Sequence, residues 1–159
     1  MVDETGMRHL RRAVELATEA LDKGDEPFGS VLVGADGTVL LEDHNHVAGG
    51  DATRHPEFAI ARWAAQNMAP EDRAATTVYT SGEHCAMCSA AHAWVGLGRI
   101  VYATSSAQLV GWLRDWGVTT GPVRPLAVTD VAPGIPVEGP VESLAGEVRA
   151  LHARLHGRT

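Results

Sequence analysis

The two cysteines of this chain, Cys85 and Cys88, stand three apart in the stretch "SGEHCAMCSAA", directly after the β-rich run "TTVYTS" and at the opening of an alanine-rich helical pattern. Residues three apart in a first helical turn project from one face. Free N–H groups and the positive dipole end favour thiolates there. Two sulfurs so placed can grip one soft cation. A working zinc site takes three protein ligands and keeps the fourth place open, so the chain must bring a third ligand to the same point. The candidate is His55, which lies thirty residues before Cys85 at the start of the preceding helix. One helix and one strand separate the two helix beginnings, and a right-handed β-α-β crossover returns both to one edge of a sheet.

The rest of the pattern fits that demand. Met7, Leu10, Val14, Ala17 and Leu21 share one face of a first helix, predicted from Thr5 to Lys23 and closed by Gly24. "GSVLVGADGTVLLEDHNH" gives two apolar runs around a turn, where Asp36 and Gly37 offer the positive φ that tight hairpins use. "HPEFAIARWAAQNM" is a second helix with Pro56 in its first turn. "RIVYATS" is a further strand, and "AQLVGWLRDWG" a short helix or lid carrying Trp112 and Trp116. The tail, with four prolines between Val123 and Pro140, predicts one more strand and a turn; from Val141 on, Leu144, Val148, Leu151 and Leu155 form a helical stripe. The order implies a three-layer α/β/α sandwich with a central mixed sheet of about five strands, in a single domain spanning residues 1–159.

Composition narrows the function classes. Acidic residues outnumber basic ones 20 to 13, a formal charge of −7, so a nucleic-acid backbone meets net repulsion and a small substrate is the easier partner. The apolar stretches fall short of a bilayer span, and the start "MVDETGMRHLRR" has no apolar signal core; the expected location is cytoplasmic. Two cysteines in one motif do not make a secreted disulfide framework. Glu57, two residues after His55, can hang beside a metal without binding it and move protons; a carboxylate there also stabilises the helix start. The rival to an open site is a closed structural one, with His44, His46 or His84 as fourth ligand.

"HPE" followed by "EHCAMC" resembles the H-x-E and P-C-x-x-C signature of the cytidine-deaminase-like zinc hydrolases. "EPFGSVLV" looks like the first strand of the guanine deaminase branch, which also neighbours cytosine and tRNA adenosine deaminases. "HNHV", "GGDATRHPE" and "AHAWVGLGRIVYATS" continue the likeness over roughly Pro27 to Ser105. The resemblance implies His55, Cys85 and Cys88 as ligands of Zn2+, Glu57 as proton shuttle, Asn45 as a contact to the base and Phe28 as a pocket wall. It implies hydrolytic deamination of a small aminated heterocycle, a free nucleobase or nucleoside, with guanine favoured and cytosine next, and a homodimer. A tRNA-specific adenosine deaminase and a non-catalytic zinc-stabilised binding module are the alternatives. The sequence departs from the pattern at His84, in place of proline, at Pro56, in place of alanine, at Ser89-Ala90, and at Gly96, where arginine is common. His84 and, as part of a lid, Trp112 are candidate substrate contacts.

Overall fold

The computed structural model describes residues 1–159. Its elements are α1 (Glu4–Asp22), β1 (Gly29–Val33), β2 (Val39–His44), α2 (Pro56–Asn67), α3 (Pro70–Ala74), β3 (Thr77–Gly82), α4 (Ala86–Val95), β4 (Arg99–Thr104), α5 (Ser106–Asp115), α6 (Val128–Val131), β5 (Val137–Glu138) and α7 (Glu142–Leu155). The five strands form one mixed sheet in the order β2-β1-β3-β4-β5. β1 is antiparallel to both β2 and β3, whereas β3–β4 and β4–β5 are parallel. Helices cover both faces, which makes the expected three-layer arrangement. No helix is long and apolar enough to cross a membrane.

Strand alternation decides which side chain meets which layer. Val31, Val33, Tyr79, Val101 and Ala103 point to one face and pack with Leu10, Val14, Leu144 and Val148 of α1 and α7. Leu32 and Val78 point the other way, onto Ile60, Ala61 and Ala64 of α2. Ile100 and Tyr102 on that second side meet Val128 and Ile135. β1 runs so close to α1 that a Cβ at Gly29 would collide with the carbonyl oxygen of Ala13; only glycine permits that approach.

The topology also explains the meeting of the two helix starts. β2 and β3 flank β1 and both oppose its direction, so they run parallel to each other. α2 follows β2 and α4 follows β3, hence both helices begin at the same edge of the sheet. They then pack side by side.

Four details differ from the sequence expectation. The hairpin turn spans Gly34 to Thr38, and only Gly37 has positive φ; Asp36 instead accepts a hydrogen bond from Thr38 N at 2.9 Å. A short helix, α3, follows Pro70. The proline-rich tail contains the four-residue α6 as well as a strand, and that strand is only two residues long, because prolines interrupt ladder bonding. Leu155, the last residue of the α7 stripe, is 37% exposed where the helix ends.

Candidate active site

His55 is the N-cap of α2 and keeps extended backbone angles, with Pro56 behind it at a position where a missing N–H costs nothing. Cys85 is the N-cap of α4, and its sulfur accepts from Cys88 N at 3.5 Å. The two caps face each other. His55 Nδ1 lies 3.5 Å from Cys85 Sγ and 3.6 Å from Cys88 Sγ. With Zn–N near 2.05 Å and Zn–S near 2.3 Å, tetrahedral zinc places nitrogen and sulfur ligands about 3.6 Å apart, so the donor set fits that ion in both type and spacing. The three donor atoms lie within 4.8 Å of one another, and the group holds no fourth His, Cys, Asp or Glu.

The electrostatics suit a cation. The two sulfurs compete for a proton: Cys85 falls to about 4, first because the Cys88 thiol donates to it and then because His55 does, while Cys88 is pushed up by the neighbouring sulfur and by burial. His55 is raised, chiefly by its contact with Cys85.

Glu57 sits in the first turn of α2, only 6% exposed. Burial pushes its carboxyl above the usual range, against the lowering pull of its hydrogen bonds and of His55. Its Oε1 accepts from Ser30 Oγ at 3.2 Å and from Thr80 Oγ1 at 3.1 Å. The carboxyl is outside the three-donor group yet shares a cleft with it. That cleft is walled by Phe28, His55, Glu57, Glu83 and Cys85 on the sheet side, by Ser106, Leu109, Val110 and Leu113 of α5, and by Thr120, Gly121, Val123, Arg124 and Pro125 of the following segment.

The sequence expectations divide here. His55, Cys85, Cys88, Glu57 and Phe28 come together. Asn45 is buried behind them: its Oδ1 accepts from Glu26 N at 3.3 Å and Val47 N at 3.0 Å, which leaves Nδ2 buried without a partner. Trp112 does not reach the cleft; Leu109 and Leu113, four apart on α5, do. Its ring packs toward the α1/α7 core beside His152, at 6.3 Å. His84 is 1% exposed and turned inward, edge-on to His92 at 5.4 Å, with neither ring nitrogen partnered by protein. It supplies no wall of the cleft. His44 and His46 stand in a separate group with Asp25, so neither they nor His84 closes the three-donor set. Gly96, one of the departures from the resembled pattern, takes φ +74° as the left-handed cap of α4.

Sequence reasoning missed Glu83, whose Oε2 accepts from Ser106 N at 2.8 Å and Oε1 from Val128 N at 2.9 Å. Its place inside the "EHCAMC" motif was the available signal. It also missed Ser30 and Thr80, polar residues within strand patterns, and the 120–125 segment, which carries no periodicity.

Residues 3–104 match the model of the cytidine and deoxycytidylate deaminase zinc-binding region. The match covers more than half of the chain, which therefore belongs to that family. Zinc is the metal of the family, and this chain has residues able to hold it. The chain is 33% identical over 109 residues to a probable cytosine deaminase of Schizosaccharomyces pombe, covering 69% of this chain and 66% of that protein. It is 36% identical over 96 residues to the guanine deaminase of Bacillus subtilis, covering 59% and 61%. The chain thus spans slightly under two thirds of the length of these relatives. The structure of guanine deaminase from Nitrosomonas europaea shares the fold, with a TM-score of 0.70 at 20% identity over 96% of this chain and 86% of that one.

Proposed function

We propose that the chain is a hydrolase that deaminates a small aminated heterocycle, with guanine the favoured substrate and cytosine the next. The observation that carries this reading is a nitrogen-and-sulfur set of three donors and, on the wall of the same cleft, a buried carboxyl that is not part of the set. His55, Cys85 and Cys88 would hold the metal. When bound, zinc lowers the pKa of a water toward about 7 and so makes a nucleophile available at neutral pH.

The chain's own groups handle substrate and protons. Phe28, Leu109 and Leu113 offer apolar walls to a flat ring. Asn45, with Oδ1 tied to two backbone N–H groups, keeps Nδ2 without a protein partner, and on the resemblance alone it is the donor to a substrate acceptor. Glu57 takes a proton from water as oxygen adds to the amino-bearing carbon, and passes it to the adjacent ring nitrogen. It then takes the remaining proton from the added hydroxyl as the carbonyl forms and delivers it to the amino group as the C–N bond breaks. Water supplies the oxygen of the new carbonyl, and ammonia leaves. Burial raises the proton affinity of the carboxyl, which suits Glu57 to take the proton from water. A homodimer is the assembly we propose alongside, on the resemblance alone.

The test is ammonia release from the zinc-loaded protein over guanine, cytosine, adenine, their nucleosides and a tRNA anticodon stem-loop. Release from a free base supports the proposal. Activity on the stem-loop alone transfers the reading to tRNA, against the −7 charge of the chain; no release from any substrate overturns it.

A further inference from the structure

Ser30 and Thr80 face each other across the β1–β3 pair, where they are directly opposed in the register. Both are fully buried. Along the same strand faces, two residues on, stand Leu32 and Val78, which belong to the apolar cluster under α2. Two hydroxyls therefore interrupt an otherwise apolar row, directly beneath the first turn of α2. Buried hydroxyls cost stability unless bonded, and these two are bonded to each other at 2.9 Å and to the same oxygen of Glu57. Neither hydroxyl reaches the other carboxyl oxygen, Oε2.

A shuttling carboxyl poses a particular problem. As a carboxylate it needs donors; as an acid it must itself donate. A fixed N–H on Oε1 would confine the proton to Oε2. Hydroxyls on Oε1 tolerate it on either oxygen, because each can turn its proton away and accept instead. Thr80 has somewhere to turn: its Oγ1 lies 3.0 Å from Gly82 O and 3.4 Å from Gly29 O. Ser30 can turn its proton to Thr80. The carboxyl can thus gain and lose a proton with its heavy atoms in place.

We propose that Ser30 and Thr80 are positioning residues that anchor Oε1 of Glu57 throughout the reaction and so keep Oε2 directed at the reacting atoms. The inference rests on the deaminase reading of Glu57. The variants Thr80→Val and Ser30→Ala remove one hydroxyl each at little cost in shape, and Thr80→Ser restores it. In the zinc-loaded protein, Thr80→Val and Ser30→Ala should each lower kcat on the order of ten- to a hundredfold, with KM changed less than about twofold, zinc content unchanged, and Thr80→Ser close to wild type. Crystal structures of Thr80→Val and Ser30→Ala should show the Glu57 carboxyl rotated or in several conformers. An unchanged kcat, or a Glu57 carboxyl that keeps its place in both variants, overturns the proposal. If the wild-type protein turns over no heterocycle, the deaminase reading falls, and the crystallographic comparison still decides whether the pair holds the carboxyl.

Discussion

The two faces of the sheet are built on opposite plans. On one face the strands and the helices α1 and α7 share a single cluster of 13 buried apolar residues. On the opposite side the apolar residues fall into two separate clusters, six under α2 and four by β4 and α6, and at one end of the first the strands carry Ser30 and Thr80 while the helix turns in Glu57 and His55. One face is filled for stability. The other gives up part of its core to polar groups that cost free energy when buried, which is the pattern expected where chemistry is installed.

That contrast can be broken most sharply at Glu57. Glu57→Gln keeps the shape and the hydrogen-bond reach of the side chain, so it should retain zinc and thermal stability while kcat drops on the order of 10³-fold; metal analysis and steady-state assays check both. Retained turnover would place the chemistry elsewhere, and a retained binding function without wild-type turnover would favour a binding module. On the other face, Leu10→Ala should cost about 2–5 kcal/mol in urea unfolding. Activity per folded molecule should stay at the wild-type level. If kcat falls as well, the faces are not separable.

The apolar face also carries its own sensitivity to acid. His152 on α7 is 3% exposed, between Phe28 at 5.1 Å and Trp112 at 6.3 Å. Burial, with His156 adding to it, lowers the imidazole to about 4. Its folded pKa lies below the unfolded value near 6.5, so the unfolded chain binds more protons between those values. Stability is present above about pH 6.5 and is lost as pH falls toward 4, on the order of 3 kcal/mol in all. Unfolding midpoints measured over that window should fall with acid in the wild type and fall less steeply in His152→Phe.

Smaller effects sharpen the picture. His84→Leu removes two ring nitrogens that have no protein partner and should raise stability by about 1 kcal/mol; a loss of turnover beyond any loss of zinc would restore His84 as a substrate contact. Trp94 is 89% exposed on α4. Replacing it with serine should alter monomer stability by no more than about 0.5 kcal/mol, and a larger change dependent on protein concentration would show that the face is covered in an assembly.

What was readable in the sequence follows from how each feature is encoded. The meeting of His55, Cys85 and Cys88 with Glu57 beside them was legible because a metal-binding pattern constrains residue type and spacing together, and both helix starts are marked by their own chemistry. The strands β1, β3 and β4 were legible because β-branched and aromatic residues crowd into short stretches there. Trp112 was misplaced because four-residue spacing identifies which residues share a helix face but not which partner that face meets. His84 was misplaced for a similar reason: its neighbour Cys85 points to the site, and nothing local shows that the preceding ring turns inward. The role of Ser30 depends on a cross-strand pairing with a residue 50 positions away, which no local pattern records.

Glu83 joins the family-matched part of the chain to the remainder by main-chain amides alone, those of Ser106 and Val128. Every residue except proline offers an identical N–H at such a position. The clasp is therefore blind to the side chains of the segments it fastens. The side chains that roof the cleft can thus change without loosening the clasp beneath.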